Sequence, residues 1–87
     1  MDAFIYTAGR LPCAIDELED ALESALGGRG EVTGSGTGRA GCNLDIAIED
    51  GALSEEQALM LIRRALADYG LPGMTRVVID GREHTLA

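Results

Sequence analysis

The chain's patterning predicts an α+β sandwich of order βαββαβ, with two helices covering one face of an antiparallel sheet. Three observations lead there. Cys42, Leu44, Ile46 and Ile48 alternate with Asn43, Asp45, Ala47 and Glu49, so an extended segment over 42–49 turns one oily face to a core and a polar face away from it. Stretches on either side of it, 15–26 and 54–69, repeat apolar residues at helical spacing and need a floor for their stripes. Further β-rich runs lie near both ends of the chain, at 3–7 and 75–79.

Taken in order, Ala3–Thr7 is β-branched or aromatic apart from Ala3, and Gly9 with Pro12 closes it. This strand is expected to pair beside 42–49. Ile15, Leu18, Leu22, Ala25 and Leu26 then form one helical stripe, with Asp16, Glu17, Glu19, Asp20 and Glu23 over the remaining surface. The acids crowd the first half, where they suit the positive end of the helix dipole, and Gly27-Gly28 stops the helix. A short strand is placed at 31–35, and the glycine-rich run Gly34–Gly41 leads as a loose hairpin into 42–49. Ser54 and Gln57 have the spacing of a capping box, with Leu53 outside as a staple. The second stripe runs through Ala58, Leu59, Ile62, Ala65, Leu66 and Tyr69 to a stop at Gly70, Leu71 and Pro72. After the strand Thr75–Ile79, Asp80-Gly81 is a favoured two-residue hairpin turn into a short last strand, Arg82–Leu86. The expected core includes Leu22, Leu44, Ile46, Ile62 and Leu66. This order is the split βαβ, or ferredoxin-like, plan, in which the first and third strands sit centrally.

A chain of 87 residues holds one core, so residues 1–87 are read as a single domain. Its apolar share of 46% excludes disorder and is almost entirely aliphatic, with one Phe, two Tyr and no Trp. Net charge is -8, and arginine is the only permanent cation. Nucleic-acid binding uses cations on phosphates and aromatic platforms under bases, so that class is set aside. An acidic field instead favours encounter with basic surfaces. Two cysteines make no disulfide framework, the N-terminus lacks a basic segment followed by an apolar run, and no apolar run approaches the ~20 residues of a bilayer span. A cytoplasmic protein with free thiols is expected, without membrane insertion.

Gly36-Thr37-Gly38-Arg39-Ala40-Gly41 satisfies G-x-G-x-x-G, but a dinucleotide loop must open a helix, and these glycines run into a strand. A flexible hairpin is the reading kept. Cys13 sits near the first turn of the first helix, where the dipole would lower its pKa and favour a nucleophilic thiolate; no second Cys at C-x-x-C spacing accompanies it. Cys42 reads as a small core residue, and His84, beside Glu83, as a solvated residue of the last strand. Cys13, Cys42 and His84 lack metal-ligand spacing, so no metal, cofactor or catalytic residue is assigned. The acids are the remaining constellation. Asp16, Glu19, Asp20 and Glu23 form one candidate partner-binding patch; Asn43, Asp45 and Glu49, with Glu31 on the neighbouring strand, form another on the sheet face opposite the helices. Carboxylates two apart on a strand also suit glycoside hydrolysis, but that chemistry needs an aromatic-lined sugar cleft, for which the chain has little material.

With its acidic first helix, a glycine-rich hairpin before an N-x-D strand, most particular over Gly34–Asp45, and an Arg-containing second helix, the chain resembles small bacterial immunity proteins that neutralise toxins. The resemblance implies a non-catalytic inhibitor that caps a basic protein with acidic side chains. Ala8-Gly9-Arg10-Leu11-Pro12 is also distantly similar to the ligand loop of ACT regulatory domains, without their Pro-Gly order, which implies a small-ligand-binding domain as the alternative. Heavy-metal-associated domains share the plan, but their Met-x-Cys-x-x-Cys loop is absent. Self-association through a sheet face or edge is the remaining expectation about partners.

Overall fold

Both helices form around the same device, a row of apolar residues four apart that reaches the core: Leu18, Leu22 and Leu26 in α1 (Ile15–Leu26), and Ala58, Ile62 and Leu66 in α2 (Glu55–Leu66). The computed structural model describes residues 1–38, 40–72 and 75–86. The strands are β1 (Asp2–Ala8), β2 (Gly30–Gly38), β3 (Gly41–Ile48), β4 (Arg76–Ile79) and β5 (Arg82–Thr85). They make one antiparallel sheet in the order β2-β3-β1-β4-β5. β1 is the middle strand, with β3 on one side and β4 on the other. Each helix joins two strands that run the same way with a third between them, an arrangement compatible with a split βαβ unit. β5 extends the sheet by one strand beyond a four-stranded plan.

Alternation decides which side is covered. Ala3 and Ile5 of β1, Leu44, Ile46 and Ile48 of β3, and Val77 and Ile79 of β4 all point to the helices and are buried, together with the two helical rows. The five expected core residues are all among them. Burying one such Leu or Ile side chain is worth ~1.5–3 kcal/mol, so the aliphatic core offsets the modest length of the chain.

The ends of the elements follow local chemistry. At α2, Ser54 N–H donates to Gln57 Oε1 at 2.9 Å and Gln57 N–H to Ser54 Oγ at 3.1 Å, a complete capping box. At α1 the cap is half of one: Glu17 accepts from Ala14 N–H at 3.3 Å, and alanine offers no acceptor in return. Gly27 closes α1 in the left-handed region, and Arg29 reaches back with Nε to the Leu26 carbonyl at 2.8 Å. That places a cation on the helix's negative end. α2 stops earlier than its apolar stripe suggests, at Leu66, and a single 3-10 turn, Ala67–Tyr69, carries the chain to Gly70. Asp80 and Gly81 both have positive φ, as the two-residue β4–β5 turn requires.

The largest departure from expectation lies in the glycine run. β2 continues to Gly38 and pairs with β3 from Gly34 opposite Asp45 to Gly38 opposite Gly41, so residues 34–38, expected in a loose connection, belong to the ladder. Arg39, within that run, lies outside the described residues. The register slips once, between Val32 and Gly34, leaving Thr33 as a bulge whose Oγ1 donates to the Asp45 carbonyl at 3.3 Å. β3 ends at Ile48, so Glu49 follows the strand instead of belonging to it.

Candidate functional site

The helices leave one face of the sheet bare. On it the alternate residues are Glu31, Gly34 and Gly36 of β2; Asn43, Asp45 and Ala47 of β3; Asp2, Phe4 and Tyr6 of β1; Arg76 and Val78 of β4; and Glu83 and Thr85 of β5, as the pairings Gly34–Asp45–Phe4–Val78–Glu83 and Gly36–Asn43–Tyr6–Arg76–Thr85 across five strands show. Two of the chain's three aromatic residues thus meet at its centre. The Phe4 and Tyr6 rings stack with centroids 6.5 Å apart, and the Arg76 guanidinium carbon lies 5.2 Å from the Tyr6 ring centroid. Arg76 Nη1 also bonds Glu83 Oε1 at 2.7 Å, an exposed pair. Tyr6 is 38% exposed. Composition showed that aromatics are scarce; the pairing register, which composition does not carry, concentrates them here.

Asp45 sits beside Phe4 on the adjoining strand and is half-buried. Its Oδ1 accepts from Asn43 Nδ2 at a long 3.4 Å, and among the described residues no cation pairs with it. The two side chains have room because the strand next to them is glycine: a Cβ on Gly34 would come 3.2 Å from Asp45 Oδ2, and one on Gly36 3.0 Å from Asn43 Oδ1. The G-x-G and N-x-D patterns are therefore one structural unit. A hollow of about 630 Å³ opens where the hairpin projects past Tyr6, lined in part by Asn43, Arg76, Gly36 and Gly38. Gly41 is part of its lining; with φ at 147°, any Cβ there would overlap the Thr7 carbonyl oxygen.

The structure divides the expected acidic residues among different surroundings. Asn43 and Asp45 share the open face, with Glu31 nearer its β2 edge. Glu49 is exposed beyond β3, its backbone N–H donating to the Arg29 carbonyl at 2.8 Å. Asp16, Asp20 and Glu23 are exposed on α1 and Glu19 is half-buried. Glu23 serves the fold, its Oε2 accepting from Val32 N–H at 3.2 Å on the edge of β2.

The two thiols sit in different surroundings. Cys13 precedes the α1 cap, and burial, followed by the Glu17 carboxylate, pushes its pKa up. The lowering that a helix N-terminus could give is not the direction found here, since burial is the larger influence and the Glu17 carboxylate the next. Cys42 is buried opposite Thr7; burial pushes its thiol up, and the Thr7 hydroxyl draws it partly back. Thr7 Oγ1 is itself buried without a hydrogen bond of good geometry among the described residues.

His84 is not the solvated side chain expected. It is half-buried, its Nε2 3.0 Å from Glu55 Oε2, while Glu55 Oε1 accepts from Arg82 Nη1 at 2.8 Å. Arg63 donates twice to the Thr85 carbonyl, at 3.2 and 2.8 Å. These contacts fasten β5 to α2. Only tertiary proximity reveals them, since Glu55 and His84 are far apart in sequence. Among the described residues, no group of three or more His, Cys, Asp or Glu side chains is placed to hold a metal ion, and no helix is long and apolar enough to cross a membrane.

No family matches the chain, and neither a curated protein nor a solved structure is significantly similar to it.

Proposed function

We propose that this chain is a ferredoxin-like, non-catalytic binding module for a basic protein, and in its most specific form an immunity protein that neutralises a basic bacterial toxin in the cytoplasm. The observation that carries the reading is the bare sheet face, where an aromatic and aliphatic centre is bordered by carboxylates and one of them, Asp45, has no cation of its own among the described residues. An overall charge of -8 adds a long-range field of the same sign. Both acidic surfaces, the face of β3 and the outside of α1, remain candidates on charge alone. Co-expression with the product of the neighbouring reading frame tests the reading. Protection of cells from that product, with association at low salt, is the expected result; neither protection nor association would remove it.

The alternative, a small-ligand regulatory domain of ACT-like type, is favoured by the hollow beside Tyr6 and Arg76. It requires thermal stability that rises with metabolite concentration as mass action dictates. A thermal-shift screen against amino acids and nucleotides separates the two, because a pure protein-binding module gives no such shift.

A further inference from the structure

We infer that the open sheet face, and not the acidic outside of α1, is the docking surface, and that its occupant is an arginine-bearing segment of the basic partner whose guanidinium lies over Phe4 against Asp45. This deepens the basic-partner reading and rests on it.

The molecule already stacks one guanidinium on this face. Arg76 lies over Tyr6 and also bonds Glu83. One step along β1, Phe4 has an aliphatic neighbour, Val78, on one strand and a carboxylate, Asp45, on the other. Phe4 thus repeats the ring and carboxylate that hold Arg76, without a cation among the described residues. A guanidinium is the group that suits such a place, being planar enough to stack on a ring and forked enough to engage a carboxylate through two parallel hydrogen bonds. Asp45 keeps lone pairs for that purpose, since its one side-chain hydrogen bond is long. An ammonium satisfies the carboxylate but stacks less well.

Charge selects the occupant. Among the described residues, Asp2, Glu31, Asp45 and Glu83 stand on this face against the single arginine Arg76. A second copy would set like charges against like, and a nucleic acid would meet the same repulsion. The outside of α1 carries carboxylates without aromatics, and one of them, Glu23, is already engaged with the backbone of β2. Such a surface attracts cations in general without distinguishing arginine from lysine.

The test is a ¹⁵N-NMR titration of the whole chain at low salt with nona-arginine and, separately, nona-lysine. Expected are amide shifts clustered at Phe4, Tyr6, Asn43, Asp45 and Val78, with nona-arginine bound ~2–5-fold more tightly than nona-lysine, as a cation–π contribution at a partly exposed site implies. Asp45→Asn should weaken nona-arginine binding, and Phe4→Leu should erase the preference for arginine while leaving the melting temperature close to the parent's. Shifts centred on Asp16 and Asp20 would overturn the docking assignment and leave the basic-partner reading standing. An absence of binding by either peptide at low salt would overturn both. Concentration-dependent shifts of the same amides without peptide would give the face to a second copy, and equal shifts with an oligothymidylate would give it to a nucleic acid; each overturns the inference.

Discussion

Gly41 and Asp45 show how single positions set up the face. Gly41 lies where β3 begins against the end of β1, and Gly41→Ala would drive a methyl group into the Thr7 carbonyl at a φ of 147°. The expected loss exceeds the ~1 kcal/mol typical of point substitutions, read as a shift in the urea midpoint. Gly36→Ala is milder, since the Asn43 amide can turn aside; it should leave the fold intact and displace Asn43. Ile46→Asp would bury a charge with no partner in the core and should cost several kcal/mol; melting like the parent would contradict the assigned strand orientation. For the thiols, a pKa raised on folding means that the unfolded chain ionises first as pH climbs. The stability associated with the buried Cys42 thiol is therefore fully present below the unfolded value and falls as pH rises through the folded one. Chemical denaturation from pH 7 upwards should show a decline in the alkaline range, reduced in Cys42→Ala after allowance for its lost packing. At neutral pH, Cys13 should react with a thiol reagent no faster than an ordinary thiol.

Helix and strand identities were largely legible because each rested on a local signal: the i, i+4 rows of both helices, the Ser54–Gln57 box, the Asp80-Gly81 turn. Ser54→Ala should cost ~1 kcal/mol, of the order measured for lost N-caps. The expected pairing of β1 with β3 is borne out; what local signals missed was register and the pairing of the glycine run. Glycines at 34, 36 and 38 looked like a loop by propensity, yet β3 offers them a complete ladder, and tertiary pairing overrides a weak strand preference. The same limit hid the fastening of β5. Glu55→Ala should raise hydrogen-exchange rates of the amides in Arg82–Thr85 while those of β1 stay protected, because Glu55 holds both Arg82 and His84; unchanged exchange would mean that the β4 ladder and Arg63 retain the strand without Glu55. Asp45 was recognised as a face residue from alternation. Its neighbour Phe4 was not, because only the β1–β3 register places them side by side.

For the whole molecule, a charge of -8 and a bare face of aromatics and carboxylates act at different ranges. On the proposed reading, the field would draw a basic partner in and the face would decide what fits. Raising salt should slow association more than it speeds release, since screening at ~8 Å under physiological conditions removes steering before it disturbs close contacts. Stopped-flow association with the partner over a salt series checks this. The most direct measurement compares binding kinetics of that partner with two charge-reversed chains, Asp45→Lys on the open face and the double variant Asp16→Lys, Asp20→Lys on α1, each first confirmed to melt near the parent. Docking through the sheet predicts that Asp45→Lys accelerates dissociation and abolishes stable binding, while the α1 variant associates more slowly and dissociates at the parental rate. Stable binding by Asp45→Lys, with binding lost in the α1 variant, would contradict it.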